Sequence, residues 1–346
     1  MNLKELARHL GLSPTTVSRA LNGYADVSEA TRQRVIEAAR RHNYRPNSRA
    51  RSLATGRAMT IGHVLPASTR HEMVNPVFAD FLAGAADSYR AAGFDIKLTM
   101  VDDADIPQLY RALSDSGAVD GFVVHGPRAA DRRVEILHKL GTPFVVHGRA
   151  TGSAVPYAWL DMNNRSAFRR ATDLLLDLGH RRIGLLNGFE WMDFAIRRRT
   201  GFTEALEARG LSVDPALMFA GEMTEANGHA ATAAMLALPD PPSALITSSI
   251  ILALGARRAA WEAGLTPGRE LSIVTHDDVL SYIANAGRVP PFTAIRSSVR
   301  EAGRLTAEML LDMIANPGAP PPTRLLDAEL ILGRSTGPAP DRRSAA

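Results

Sequence analysis

Apolar positions recur at helical spacing in three short runs at the start of the chain. The first, Leu3 to Leu10, meets a stop signal at Gly11. The second opens with Ser13, a residue that can cap a helix, and with Pro14, which suits the first helical position. It continues to Leu21. The third starts at Ser28 and carries Val35, Ile36, Ala38 and Ala39 before Asn43. NYRPNSRARSLATGRAMT follows, basic and weakly apolar, and reads as a linker with one short helix from Asn47 to Ala54. From Ile61 the texture changes to short apolar runs alternating with amphipathic helices. The runs predict strands at 61–66, 94–101, 120–126, 143–148, 182–188, 244–249 and 271–278. Helices are predicted at 77–92, 130–140, 164–179, 195–209, 226–237, 252–263 and 299–315. Strands apolar throughout and separated by helices indicate parallel sheets covered on both faces. A body of this size divides more readily into two similar lobes than into one sheet. Ligands on such sheets bind beyond the carboxyl ends of the strands, here the cleft between lobes.

The second short helix is apolar on one side only. With Thr15 at zero and 100° per residue, Arg19 lies at about 40°, Asn22 at about −20° and Ser18 at about −60°. Val17, Ala20 and Leu21 fall on the opposite side. The polar face therefore offers hydroxyls, a guanidinium and an amide, groups that read base edges and phosphates. Ala7, Gly11 and Val17 have the spacing of a helix-turn-helix: a small residue for close approach, a tight turn and a locking valine.

Charge points the same way. Residues 1–60 hold eleven Lys and Arg against four Asp and Glu, a net +7, whereas the remainder carries −3. A basic head on a slightly acidic body suits a polyanion. A solvated basic face would show the same charge, so the small-residue spacing is what favours DNA. The absence of cysteine excludes disulfides and fits a reducing compartment. The N-terminus lacks the apolar core of a secretory signal, and no run approaches the roughly 18 apolar residues of a membrane span. A cytoplasmic protein with no membrane partner is the expectation. No glycine-rich phosphate loop follows a strand, no serine elbow or cysteine nucleophile is present, and the histidines lack metal-ligand spacing. An enzyme is therefore not expected, nor a cofactor or a metal. A sugar-binding transport protein is disfavoured by the DNA-binding head.

The segment NLKELARHLGLSPTTVSRALNGYADVSEATRQRVIEAARRHNYRPNSRARSLATG resembles the DNA-binding head of the lac repressor (LacI-type) family. LLLDLGHRRIGLLNG, RRTGFTEALEARG, SIVTHDD, VPPFTAIR and VREAGRLTAEMLLDMI continue the resemblance in the family's order, from about Leu3 to Ser335. The resemblance implies an α/β fold: a three-helix head, a hinge helix and a two-lobed core similar to periplasmic binding proteins, with parallel sheets. It places the head at 1–46, the hinge helix and linker at 47–60, and the effector-binding and dimerisation core at 61–335. Lobe 1 would hold about 61–160 and 291–325, lobe 2 about 161–290 and 326–335, with a disordered tail at 336–346.

It further implies a homodimer on a palindromic double-stranded operator, each second helix in a major groove. Matching positions make Thr15, Thr16 and Arg19 the base readers, with Asn22, Ser28 and Tyr44 touching phosphate or holding the head together. Leu53 would wedge into the minor groove at the operator centre, beside Ala50 and Arg51.

In the core the resemblance assigns effector contacts to Arg198, Asp277, Asn75 and Phe78, with Arg149, Trp159, Asp161, Met192, Met223, Ser248 and His276 near the cleft. The chain departs from the family in three places. Ser248-Ser249 replaces a frequent Asn-Asp, His276 replaces an aromatic, and Gly148-Arg149 replaces Asp-Arg. Loss of the carboxylate favours a bulkier ligand or one held differently. NPVF with HGR resembles members that answer to alpha-glucosides such as maltose, trehalose or sucrose. The function implied is a repressor of a carbohydrate-utilisation operon, released by a small sugar. Alternatives within the family are a sensor of a purine, a sugar phosphate or a phosphoprotein partner, and an activator. The missing heptad-rich tail favours a dimer over a tetramer.

Overall fold

A computed structural model describes residues 1–21, 24, 26–42, 44, 57–276 and 279–341, the side chains of 69–72 excepted. The chain forms two compact units, Met1–Met59 with Gly117–Val119, and the rest.

In the first unit α1 (Leu3–Leu10) opens on a capping box. Asn2 Oδ1 accepts from the Glu5 amide at 3.0 Å, and Glu5 Oε2 accepts from the Asn2 amide at 2.9 Å. It ends at Gly11, whose φ of 67° only glycine adopts freely. α2 (Pro14–Leu21) is capped by Ser13, whose Oγ accepts from the Thr16 amide at 3.0 Å. α3 (Glu29–Arg41) is capped in the same way by Ser28. Leu6, Ala7, Val17, Ala20, Val27, Val35, Ala38 and Ala39 close one small core, with Tyr44 packed on it. The expected hinge helix, with Ala50, Arg51 and Leu53, lies outside the described residues, as does Asn22.

The second unit holds two six-stranded sheets. The first contains β1 (Thr60–Pro66), β2 (Asp95–Val101), β3 (Gly121–Val124), β4 (Phe144–His147), β5 (Ala158–Met162) and β13 (Thr323–Leu326) in the order β13-β5-β4-β3-β1-β2, all parallel. The second contains β6 (Ile183–Asn187), β7 (Met218–Ala220), β8 (Ala244–Thr247), β9 (Ser272–His276), β12 (Thr293–Arg296) and β14 (Glu329–Ile331) in the order β14-β12-β9-β8-β6-β7. Only β14 runs antiparallel. A two-stranded ribbon joins β10 (Val279–Leu280) to β11 (Ile283–Ala284). The helices pack in pairs: α4 (Pro76–Ala92) with α11 (Val299–Ala315), α5 (Ile106–Asp115) with α6 (Arg132–Leu140), α7 (Asn164–Asp177) with α8 (Asp193–Glu207), and α9 (Glu225–Leu236) with α10 (Ile250–Glu262). Short 3-10 turns lie at Ala67–Val74 and Pro215–Leu217. Small residues set how closely these pairs approach. A Cβ on Gly84 would lie 1.9 Å from the Arg300 carbonyl oxygen, and one on Gly303 would lie 2.0 Å from that of Phe81.

Three expectations need correction. β12 hydrogen-bonds to β9, so residues 293–296 belong to the second lobe rather than the first. The chain therefore crosses between lobes after β5, after β12 and after β13. The tail is ordered to at least Asp341. The Gly337 amide donates to Ser272 Oγ at 3.1 Å, the Gly337 carbonyl lies 3.1 Å from His180 Nε2, and the Ala339 amide donates to the Leu178 carbonyl at 2.8 Å. Backbone bonding of this kind fixes a segment whose composition alone reads as disordered. Finally, α5 and strands β5, β7, β12 and β13 fall where no element is predicted. α5 buries Ile106, Tyr110 and Leu113 at helical spacing. The added strands have three to five residues, too few for a period to show.

No helix among the described residues is long and apolar enough to cross a membrane.

Candidate functional site

Two surfaces carry the chemistry. In the first unit, α2 buries Val17 and Ala20 and turns Thr15 and Arg19 outward. Thr16 is half-buried, its hydroxyl 2.8 Å from that of Ser13. Ser28 spends its hydroxyl on the α3 amide and on Thr31 Oγ1 at 2.9 Å. Tyr44 sits half-buried on the core, and burial raises its phenol pKa. The two thus serve at least to hold the head together.

In the second unit a cavity of about 1200 Å³, its open mouth included, lies between the lobes at the carboxyl ends of the strands. β1 ends there at Leu65 and Pro66, β3 runs into His125, β4 ends at His147, β5 brings Asp161, and β9 ends at His276. Of the residues anticipated from the sequence, Asn75, Phe78, Asp161, Met192, Arg198, Met223 and His276 line it. Arg149, Trp159 and Ser248 do not. The Arg149 guanidinium lies over the Trp159 ring at 5.0 Å and donates to Asp161 Oδ2 at 2.9 Å. Ser248 is fully buried, donates to Asn187 Oδ1 at 2.7 Å and offers its carbonyl to Arg198. Both groups therefore brace lining residues from behind. Asp277 lies outside the described residues.

Arg198, 5% exposed, is held on several sides. Nε donates to Asn164 Oδ1 at 2.7 Å, Nη1 to the Ser248 carbonyl at 2.9 Å, and Nη2 lies 3.0 Å from His276 Nδ1. Its Cζ lies over the Phe168 and Phe194 rings, 5.1 and 4.6 Å from their centroids. Asp161 is likewise engaged, by Arg149 and by Arg197 Nη1. The lobes are tied together at the cavity edge. The Asp193 amide donates to the Pro127 carbonyl at 3.0 Å, and Thr151 donates its amide and hydroxyl to Asp193 Oδ2 at 2.9 and 2.6 Å.

The first-lobe wall holds Phe81, His125 and His147, which the sequence reading passes over, and the buried His63 contacts His125 outside the lining. His63 Nδ1 lies 2.9 Å from His125 Nε2, and the two rings stack. Phe78 and Phe81 meet His125 edge-on, and Phe81 lies 4.3 Å from the His147 ring. Burial lowers the His63 pKa to about 3. Burial first, then His63, His147 and Arg133, drives that of His125 well below its usual value. Both imidazoles are neutral at pH 7. Asn164, Phe194, Ser249, Ser297 and Ser298 complete the polar and aromatic lining. One signal for the histidines is available in the sequence. VVHG occurs twice, at Val123–Gly126 and Val145–Gly148, each time at a strand's carboxyl end. Gly148 has a φ of 107°, and a Cβ there would meet Pro127 Cγ at 2.9 Å, so the strand end stays close to the next loop.

Chemically, the cavity offers aromatic and aliphatic faces with neutral hydrogen-bonding groups between them. The Asp161 carboxylate is paired with Arg149 and Arg197, and the Arg198 guanidinium donates to neutral protein groups. Among the described residues no group of three or more His, Asp and Glu is placed to hold a metal ion.

Comparison with known proteins covers both units. Residues 2–47 match the profile described as bacterial regulatory proteins, lacI family, and residues 172–336 match a periplasmic binding protein-like domain. The HTH-type transcriptional regulator AglR of Rhizobium meliloti (strain 1021) is 45% identical, covering 99% of this chain and 96% of that protein. The HTH-type transcriptional repressor CytR of Escherichia coli (strain K12) is 31% identical over 98% of this chain and 97% of its own length. A solved complex of the transcriptional regulator CelR with cellobiose superposes with a TM-score of 0.70 at 28% identity, covering 97% of this chain and 99% of that one. This chain belongs to the lacI family of bacterial regulatory proteins, a family of helix-turn-helix transcriptional regulators and not of enzymes.

Proposed function

We propose that the protein is a cytoplasmic, homodimeric repressor of a carbohydrate-utilisation operon. Its two α2 helices would read a palindromic operator, with Thr15, Thr16 and Arg19 facing the bases. A neutral glycoside in the inter-lobe cavity releases the DNA. The observation that carries the ligand class is the cavity lining. Flat apolar faces from Phe78, Phe81 and Phe194 suit the faces of sugar rings, and the neutral His125 imidazole, Asn75, Asn164 and the serines suit hydroxyls. Asp161 is paired with Arg149 and Arg197, and Arg198 spends donors on Asn164, the Ser248 carbonyl and His276, so both side chains are largely engaged within the protein. A disaccharide is the size class we favour, since CelR in its cellobiose complex is a relative that holds one. An alpha-glucoside is the specific ligand we favour, on the resemblance of the NPVF and HGR segments.

The test is operator release. An operator duplex selected from random sequence is labelled and bound by the full chain. Maltose, trehalose and sucrose are then titrated in, with glucose 6-phosphate in parallel. Release by a neutral glucoside and not by the phosphate is the expected result. Release by the phosphate alone contradicts the proposal.

A further inference from the structure

We infer that Asp26 is a positioning residue for Arg19, holding its guanidinium in the pose that reads a base; the inference rests on the proposed reading of α2 as the helix that meets DNA. Arg19 Nη2 lies 2.7 Å from Asp26 Oδ2, and both side chains are about half exposed. The Arg19 Cζ sits 5.2 Å from the centroid of the Tyr24 ring. The guanidinium is thus held at one edge by a carboxylate and over one face by an aromatic ring.

These two supports are themselves anchored. The Tyr24 amide donates to the Arg19 carbonyl at 3.1 Å, and the Tyr24 carbonyl accepts from the Val27 amide at 3.3 Å and from Arg32 Nη2 at 3.0 Å. Arg32 belongs to α3 and is fixed there by Glu29 at 2.9 Å. Val27 enters the head core. The brace is therefore referred to the α3 scaffold and does not depend on α2 alone.

Packing does not explain the arrangement. α2 is docked by Val17 and Ala20 on its other side, and an exposed ion pair adds little to stability. A carboxylate on a basic surface that meets phosphates works against binding by charge. What the pair does supply is orientation. A long arginine side chain loses rotamer freedom when it docks, and a pre-set pose reduces that loss. Each terminal guanidinium nitrogen carries two hydrogens, so Nη2 can donate to Asp26 and, with Nη1, still present a fork to guanine O6 and N7.

The test uses the full chain and an operator duplex selected from random sequence by the wild type. Arg19→Ala first identifies the base pair at which discrimination disappears. Binding of Asp26→Asn is then measured to the operator, to the operator altered at that pair, and to a random duplex. Discrimination at that pair should fall about three- to fivefold. Affinity for the random duplex should rise, because one repelling carboxylate is gone. Asp26→Glu should restore part of the discrimination. Full discrimination in Asp26→Asn overturns the inference. So does a parallel loss of affinity for all three duplexes with a lowered melting temperature, which would make Asp26 merely structural. If Arg19→Ala leaves discrimination intact, the reading of α2 fails instead.

Discussion

The head and the cavity place their working groups in opposite ways. On the head, Thr15 and Arg19 stand in solvent, and Arg19 is steadied by Asp26 and Tyr24 alone among the contacts described for it. In the cavity, Arg198 is buried, lies over two phenylalanine rings and is hydrogen-bonded along its edges. The difference fits the two tasks. Under the proposed function, a helix that meets a polyanion keeps its readers exposed and lets DNA complete their bonds. Under the same proposed function, a cavity for a neutral ligand engages its charged side chains with protein partners and offers neutral groups to the ligand.

This contrast can be broken at three points. Arg198→Leu has the largest expected effect. It strips partners from Asn164, the Ser248 carbonyl and His276 inside the core, and leaving such groups unpaired should cost about 3 kcal/mol or more. Urea unfolding of the second unit measures it; a loss below about 1 kcal/mol would mean that the network carries little. Arg19→Ala should leave the fold unchanged and remove roughly 1–3 kcal/mol of operator discrimination, read by binding to operator and altered operator. An operator preference like the wild type's would place the readout elsewhere. The smallest effect is in pH. His63 and His125 are held neutral by burial, with folded pKa values far below the 6.5 of the unfolded chain. Between those values the unfolded chain binds more protons, so their contribution is complete above about pH 6.5 and is lost as pH falls towards 3. From pH 6.5 to 5.5 the loss is about 1 kcal/mol per histidine. Flat stability over that interval would mean that both rings take up protons in the folded protein as readily as in the unfolded chain.

The same contrast governs what could be read from the chain itself. The α2 face is set by residues eight positions apart at most, and its caps, turn and polar stripe are local, so Ser13, Gly11, Val17 and Arg19 are visible in the sequence. The cavity is assembled from strand ends distant in sequence. Arg198 and Asp161 come to the site through the family resemblance, as do Asn75, Phe78 and His276. His125 and His147 escape it, although the repeated VVHG at two strand ends marks them once the ends are known to face the cleft. Trp159 and Arg149 illustrate the converse. They are residues of suitable chemistry close in sequence to Asp161, yet they stack on one another outside the cavity. Lobe membership of β12 depends on pairing with β9, a contact that no local pattern reports.

The most direct test of the central claim, a cavity built for a neutral polyhydroxy ligand, is thermal unfolding of the full chain against neutral glucosides, sugar phosphates and purines. A ligand present at 100 times its dissociation constant should stabilise the unit it binds by about 2.7 kcal/mol. The account predicts a raised melting temperature with a neutral glucoside, and none with the phosphates or purines. Stabilisation by a sugar phosphate or a purine while every neutral glucoside stays silent would contradict it.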